Sequence, residues 1–253
     1  MVDQISKTDA EFSLFNMQRY FASLINKQVI LSKDDIFHLT KVMRAKNGDN
    51  IEVVDENQNT YLAVIRNTNP LLIEIQEPIL KNSELPTSIT LFFGLAKSDK
   101  IEFVIQKATE LGVSKIVLFQ GKRSVVKFDN NDFDRKLPRY MSIAKEAAEQ
   151  CHREKIPSIE FEKSIEGVKK HLCELNLFAY ELNAGETNNF ENYLKENYQS
   201  ISVIIGPEGG FDEKEADFLV NNGFKTISLG KRILRCETAA VYALSVIAFN
   251  LEK

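Results

Sequence analysis

The sequence predicts an α/β protein in which a small β-barrel precedes a larger domain built on a mostly parallel sheet. Residues 17–85 contain short runs of β-branched and aromatic residues, separated by turn clusters such as KNGDN and ENQN. In residues 88–253, strand-like runs alternate with amphipathic helical runs, which is typical of a parallel sheet covered by helices on both faces. The segment ELPTS, residues 84–88, is interpreted as the linker between the two domains.

Residues 1–16 show little hydrophobic pattern, and we expect them to form a flexible N-terminal extension. They lack the basic start and apolar core of a secretory signal. The longest apolar run, AAVYALSVIAF, is 11 residues long, whereas a membrane-spanning helix needs about 20. We therefore expect a cytoplasmic protein with no membrane partner.

The barrel domain is predicted to contain one helix among its strands. The strands are expected at RYFAS, QVILS, IEVVD, TYLAVIR and LLIEIQEPI. The helix is expected to begin near Ser32 or Asp34, and its apolar face carries Ile36, Leu39, Val42 and Met43.

The second domain is predicted to alternate strands and helices to its end. Its strands are expected at ITLFFGL, KIVLF, IPSIEF, NLFAYEL, SVIIG and TISLG. Longer helices are expected at residues 99–111, around 135–151, from about 212 to 223, and at 237–251. Asp99 with Glu102, and Asp212 with Glu215, have the spacing of capping boxes.

The composition argues against a metal or disulfide protein. Three cysteines form no C-x-x-C pair, and the three histidines are scattered, so we expect no metal. The net charge of −4 argues weakly against a nucleic-acid partner, but residues 94–155 carry 13 Lys and Arg against 9 Asp and Glu. That surplus is a weak indication of an anion-binding face.

Two glycine-bearing loops, VIIGPEGGF and GKRILRCET, follow predicted strands. Ligands of open α/β sheets bind at the carboxyl ends of strands, so both loops are candidate binding loops. The first loop matches neither the phosphate loop G-x-x-x-x-G-K-[ST] nor the dinucleotide turn G-x-G-x-x-G. Its glycines allow a ligand to lie against the backbone, which suits a flat, mostly uncharged group such as a nucleobase. Arg232, Arg235, Glu237 and Thr238 lie at the start of an apolar helix, where polar groups are expected to face a confined site.

Four motifs now identify a family. VIIGPEGGF, SLGKRILRCETAAV, KSDKIEFVIQKATELGV and EAAEQCHREKIP together resemble the bacterial 16S ribosomal RNA (uracil-N3)-methyltransferases, members of the SPOUT class of knotted methyltransferases. HLTKVMR, His38 to Arg44, resembles the signature of that family's N-terminal PUA-like RNA-binding barrel. The resemblance runs from Met17 to the C-terminus. Cys236 departs from the family, which more often has Thr at this position.

The resemblance implies a SPOUT domain over residues 88–253, with a trefoil knot, a homodimer and S-adenosyl-L-methionine as cofactor. It implies that the cofactor is held largely through backbone groups of the two loops. The cofactor-binding residues carried over are Leu182, Gly206, Pro207, Glu208, Gly209, Gly210, Leu229, Gly230, Ile233, Leu234, Thr238 and Ala239.

The reaction that the resemblance implies is methyl transfer to N3 of a uridine, whose nitrogen becomes a good nucleophile only after losing its proton. We assign to Arg235 the stabilisation of the anionic base, and to Glu237 the acceptance of the proton. A plain ion pair of Arg235 with Glu237 or Glu208, which would only organise the loop, is equally compatible with the sequence.

The expected substrate is 16S ribosomal RNA in an assembled small subunit, with the target base unpaired or flipped out. The RNA backbone is predicted to be bound by Arg19, Arg44, Lys97, Arg123 and Lys127. A second hypothesis is a non-catalytic RNA-binding protein with a degenerate methyltransferase domain. A third is an enzyme acting on another nucleotide, which the missing phosphate-loop lysine disfavours.

Overall fold

The computed structural model describes residues 17–80, 82–180 and 190–253. These residues form two compact units. The first contains the described residues up to Ser83 together with Glu149–Glu154, and the second contains Glu84–Ala148 and the described part of Lys155–Lys253. In the described part of the chain, no helix is both long and apolar enough to cross a bilayer.

The first unit is a curled half-barrel of six strands. Its strands are β1 (Arg19–Phe21), β2 (Ser23–Ile25), β3 (Gln28–Ile30), β4 (Asn50–Val54), β5 (Thr60–Thr68) and β6 (Leu71–Ile79). Their order in the sheet is β1-β4-β5-β6-β3-β2, with β1 parallel to β4 and the other neighbours antiparallel. The predicted barrel is therefore confirmed as a sheet that curls around its own core without closing.

A short helix, α1 (Lys33–Phe37), begins where the sequence predicted, because the Ser32 hydroxyl accepts a hydrogen bond from the Asp35 backbone N–H at 3.1 Å. It continues as a π-helical turn, His38–Val42, closed by the Met43 N–H donating to the His38 carbonyl at 2.9 Å. This change of spacing breaks the 3.6-residue periodicity. Only Leu39 of the predicted apolar face is buried, and the expectation was wrong for Ile36, Val42 and Met43, which are exposed.

The second unit alternates strands and helices. Its elements in chain order are β7 (Ser88–Gly94), α2 (Ser98–Glu110), β8 (Lys115–Phe119), α3 (Asn130–Gln150), β9 (Ser158–Glu162), a 3-10 helix (Ile165–His171), β10 (Leu175–Ala179), α4 (Phe190–Tyr193), β11 (Ser200–Ile205), α5 (Glu213–Asn221), β12 (Lys225–Ile227) and α6 (Cys236–Leu251). The strand order is β12-β10-β11-β7-β8-β9, and every pairing is parallel. The predicted parallel sheet is confirmed.

Both faces of this sheet are buried, as its almost continuous apolar strands require. Along β7, Leu91 and Phe93 enter a core that includes residues of α2 and α6, whereas Phe92 enters a second core beneath α5. Because the strands are parallel, β10, β11 and β12 all end at one edge of the sheet. The loops after β11 and β12 therefore open at the same edge, as expected.

Helix starts agree with the sequence only in part. Asp212 and Glu215 form the predicted capping box of α5. The other predicted box was wrong, because α2 begins at Ser98 with Lys97 as its N-cap, which places Asp99 inside the first turn. Helix α3 begins at Asn130, earlier than predicted, because Asp129 accepts a hydrogen bond from the Asp132 N–H at 2.7 Å and caps the helix before its apolar pattern starts.

Candidate functional site

A cavity of about 420 Å³ opens at the carboxyl edge of the parallel sheet. Its walls come from the ends of β10, β11 and β12, from the two glycine-bearing loops, and from the first turns of α2 and α6. The volume lies within the roughly 300–1,000 Å³ of ordinary small-molecule pockets. The two loops that the sequence singled out therefore form one site.

The first loop follows β11 and turns tightly before α5. Gly210 has a φ of +67° and its N–H donates to the Pro207 carbonyl at 2.9 Å. A Cβ at Gly209 would lie 2.8 Å from the Arg123 Cβ and 2.9 Å from the Arg123 carbonyl oxygen, so a side chain there would displace a neighbouring loop. The loop thus needs glycine for its conformation and its packing, and it presents backbone groups to the cavity.

The second loop joins β12 to α6 and supplies two arginines to the cavity wall. Gly230 turns the chain with a φ of +103°, and Ile233 beyond it is 84% exposed. Arg232 and Arg235 line the cavity, and Arg235 is also the N-cap residue of α6. The wall therefore combines an apolar floor with two guanidinium groups near the rim.

Most of the predicted cofactor residues line this cavity. They are Gly206, Pro207, Glu208, Gly209, Gly210, Leu229, Gly230, Ile233, Leu234 and Ala239. Thr238, which is exposed in the first turn of α6, does not line it. Leu182 lies outside the described residues.

An ion cluster stands beside the cavity. Lys100, in the first turn of α2, places its Nζ 3.2 Å from Glu208 Oε1 and 3.3 Å from Glu237 Oε2. All three side chains are only about one-fifth exposed, at 21%, 21% and 18%. The Cys236 Sγ donates a further hydrogen bond to Glu237 Oε2 at 3.3 Å. One lysine thus joins the first loop, through Glu208, to the start of α6.

Arg235 is not part of that cluster. Among the described residues, its guanidinium has neither an ion pair nor a hydrogen bond, and the residue is exposed at the cavity. Glu208 and Glu237, the two carboxylates with which the sequence could pair it, are both held by Lys100. The ion pair that would make Arg235 purely structural is therefore absent from the described part of the protein.

The cluster shifts the titration of its members. Burial alone would lower the pKa of Lys100, but hydrogen bonds to Glu208 and Glu237 outweigh it and raise that pKa. Burial would raise the pKa of Glu237, yet its hydrogen bonds with backbone, Cys236 and Lys100 lower it. Burial and the neighbouring Glu237 raise the pKa of the Cys236 thiol to about 12. At neutral pH the lysine and Glu237 are therefore charged, and the thiol is protonated.

Several cavity residues were missed by sequence reasoning. They include Lys100, Ala179, Tyr180, Ile227 and Ser228. Ala179 and Tyr180 stand at the end of β10, and the rule that ligands bind at carboxyl strand ends could have found them. Lys100 follows the carboxyl end of β7 and lies in the motif KSDKIEFVIQKATELGV, but its partners, Glu208 and Glu237, are more than a hundred residues away in sequence, so its role was not predicted.

The predicted RNA-contacting cations fall into two groups. Arg44, Lys97, Arg123 and Lys127 are exposed, and the Arg123 Nη1 donates to the Gly209 carbonyl at 3.3 Å beside the first loop. Arg19 corrects the prediction: its side chain is 0% exposed and pairs with Glu52 at 2.7 Å inside the first unit. A guanidinium that is buried and paired is not available to RNA phosphates. The described residues contain no cluster of three or more His, Cys, Asp or Glu side chains placed to hold a metal.

Comparison with known proteins assigns a family to this architecture. The family described as RNA methyltransferase domain matches residues 83–248, and that described as RNA methyltransferase PUA domain matches residues 31–77. The ribosomal RNA small subunit methyltransferase E of Bacillus subtilis is 34% identical over 250 residues, which cover 93% of this chain and 98% of that protein.

Solved structures agree with the sequence matches. A Legionella pneumophila protein described as a methyltransferase, solved with bound SAM, superposes with a TM-score of 0.82 at 28% identity, covering 91% of this chain and 96% of the other. The Neisseria gonorrhoeae ribosomal RNA small subunit methyltransferase E, bound to S-adenosyl methionine, gives a TM-score of 0.80 at 25% identity over 92% and 97% of the two chains. With an RNA methyltransferase domain matched over residues 83–248, a PUA domain matched over residues 31–77, and a relative aligned to 93% of its length, the chain belongs to the RNA methyltransferase family that includes the ribosomal RNA small subunit methyltransferases E.

Proposed function

We propose that this protein transfers the methyl group of S-adenosyl-L-methionine to N3 of a uridine in 16S ribosomal RNA. The observation that carries the proposal is the cavity in which two glycine-bearing loops meet an arginine that has no protein partner among the described residues. The relatives named for small-subunit ribosomal RNA, and the neighbours solved with SAM, support the substrate and the cofactor.

The cavity fits the cofactor in size and in chemistry. The backbone of residues 206–210 and 229–234 would hold the adenosyl portion by main-chain hydrogen bonds, against apolar walls such as Ile205, Ile227 and Ala239. When bound, the cofactor supplies an electrophilic methyl group on a sulfonium. The protein's own tasks are then to exclude water, orient the uracil and stabilise its anion.

We assign the stabilisation of the anion to Arg235. Loss of the N3 proton leaves negative charge on the ring and its carbonyl oxygens, and a fixed guanidinium beside them lowers the cost of that charge. Because Arg235 is not neutralised by Glu208 or Glu237, its field is available to a ligand in the cavity.

Glu237 is our proposed proton acceptor, and its ion pair and hydrogen bond reduce its strength as a base. The ion pair with Lys100 and the hydrogen bond from Cys236 keep the carboxylate ionised, but they also lower its pKa and make it a weak base. Of the two catalytic assignments, Arg235 is therefore the better supported. Replacing Glu237 by Gln and measuring the pH dependence of methyl transfer tests the weaker one: an unchanged profile removes Glu237 as the acceptor.

For substrate binding, we propose that Arg44, Lys97, Arg123 and Lys127 contact the RNA backbone while the target uridine is flipped out. We further propose that the substrate is the assembled small subunit. A degenerate, non-catalytic domain is disfavoured, since both cofactor loops are intact and line one cavity.

We also propose that the protein is a cytoplasmic homodimer whose second unit contains the trefoil knot of its class. Tyr242 and Phe249 on α6, and Phe103 on the adjacent α2, are 40%, 66% and 44% exposed, which supports an apolar surface for a second copy. Light scattering of Phe249→Glu should then report a monomer. The exposed Val220→Glu on α5 serves as the control that should stay dimeric.

Methyl transfer to small subunits from cells that lack the gene tests the proposed function. Wild-type protein should label one uridine at N3, located by mass spectrometry of RNA fragments. Arg235→Ala should lower kcat by about 10²–10³-fold, the effect of removing one charge-stabilising donor, with cofactor affinity nearly unchanged. Arg66→Ala, an exposed arginine of the first unit, is the matched control. Wild-type protein that labels no uridine contradicts the proposal.

A further inference from the structure

Lys100 pairs with two carboxylates at the cavity that Arg235, the arginine we assign to the substrate, also lines. It lines the cavity together with Arg235, and its ammonium contacts both Glu208 and Glu237. We propose that Lys100 is a positioning residue that holds these two carboxylates away from Arg235 and so leaves the arginine for the uracil anion. The inference rests on the proposed function and adds a residue to it.

The need for such a residue follows from the charges around the cavity. Among the described residues, its lining contains three cations, Lys100, Arg232 and Arg235, and Glu208 as an acid, with Glu237 adjoining through Lys100. Carboxylates that are about four-fifths shielded from water are not left unpaired at low cost. Without Lys100, Glu208 would be free to pair with Arg232 or Arg235, which line the same cavity. An arginine captured in this way would lose most of its effect on a bound anion.

The helix dipole disfavours a positive charge at the position of Lys100. The contacts of Lys100 with Glu208 and Glu237 must therefore stabilise its charged form. Lys100 lies in the first turn of α2, where the helix dipole disfavours a cation. The two carboxylates offset that cost and raise its pKa, so the lysine stays protonated at neutral pH. Since Glu208 belongs to the first loop and Glu237 to α6, the same ammonium also fixes the two walls relative to each other.

Lys100→Met tests the proposal, because it keeps most of the unbranched side chain and removes the ammonium group with its charge and hydrogen-bond donors. We expect kcat to fall by about 10–100-fold, with cofactor affinity by calorimetry changing by less than about 3-fold. The double variant Lys100→Met, Glu208→Gln should regain about 5-fold in kcat, a partial rescue, since one of the two carboxylates that can capture Arg235 is then neutral and Glu237 remains charged. Lys107→Met, on the same helix and paired with Glu110, should behave as wild type.

Accessibility of Arg235 gives a readout that needs no catalysis. Phenylglyoxal modification, followed by mass spectrometry with Arg44 as an internal reference, should be rapid at Arg235 in the wild type. It should be slowed in Lys100→Met and partly restored in the double variant, in which only Glu237 can still capture the arginine. Equal reactivity of Arg235 in all three proteins overturns the proposal, as does a double variant that regains no activity. If wild-type protein transfers no methyl group but the reactivity pattern appears, the proposed reaction fails and the positioning role stands.

Discussion

At the scale of single residues, Arg19 shows what burial does to a charged side chain. Its guanidinium lies 2.7 Å from Glu52 Oε2, and the exposed fractions of the two side chains are 0% and 1%. The Arg19 Nη1 also donates to the His152 carbonyl at 2.7 Å and to Glu154 Oε1 at 3.3 Å. Among the described residues, these contacts of Arg19 are all internal to the first unit, and they join β4 to residues 149–154.

Removing the charge of Glu52 should destabilise the protein. Glu52→Gln leaves a buried guanidinium short of an anion, and we expect the free energy of unfolding to fall by about 3 kcal/mol. Urea denaturation at pH 7 measures the loss. Glu74→Gln, which breaks an ion pair with Arg66 whose side chains are 45% and 53% exposed, should cost at most about 1 kcal/mol. Equal losses for the two variants would contradict the burial argument.

The same pair makes stability depend on pH. Burial alone would raise the pKa of Glu52, but hydrogen bonds and charge from His152 and Arg19 outweigh it and lower that pKa below 4.5. A carboxylate with a lowered folded-state pKa contributes its stability above its unfolded pKa and loses it as the pH falls through the folded value. The difference between wild type and Glu52→Gln should therefore shrink below about pH 4.5.

At the scale of elements, periodicity located most strands and helices, because alternation and apolar stripes are local properties of the chain. The error at α1 has a structural cause, since a π-helical turn changes which residues face inward. Helix α3 starts early because Asp129 caps it. The first turn has no apolar periodicity, so the sequence pattern did not predict this start. Local signals thus fixed the elements and left several of their ends open.

The candidate site likewise has parts that the sequence predicts and parts that only the fold shows. Both glycine loops could be predicted, since strand ends and glycines are visible in the sequence. The cluster of Lys100 with Glu208 and Glu237 could not, because three elements distant in sequence meet only in the fold. The burial of Arg19 was hidden for the same reason: its partners come from β4 and from residues 149–154.

The end of β7 supports the first loop and yields a further prediction. A Cβ at Gly94 would press on Pro207, lying 2.6 Å from its Cδ, and would come within 2.9 Å of the Gly206 carbonyl carbon. Backbone at that distance must move, so Gly94→Ala should shift the loop and weaken cofactor binding by about 10-fold or more, measured by calorimetry. At Gly121 the nearest atom is the Pro207 Cγ at 3.3 Å, and Gly121→Ala should have the smaller effect.

At the scale of the whole molecule, the net charge of −4 conceals an arrangement of charges that suits RNA. Three of the candidate phosphate contacts belong to the second unit, where Lys97 precedes the helix that carries Lys100 and Arg123 touches the first loop. Lys127 follows in the same segment after β8. Local distribution thus outweighs the sum of charges in predicting the partner.

Neutralising Lys97, Arg123 and Lys127 together should weaken RNA binding and flatten its salt dependence. Each lost phosphate contact on single-stranded RNA lowers the slope of log K against log salt by about 0.7, so the triple glutamine variant should lose about 2 units of slope. Cofactor affinity should stay near the wild-type value. A control triple variant at Lys115, Lys225 and Lys253 removes the same charge from the opposite edge of the sheet, where β8 and β12 begin and α6 has ended. If both variants flatten the slope equally, RNA binding depends on overall charge, and the proposed surface is wrong.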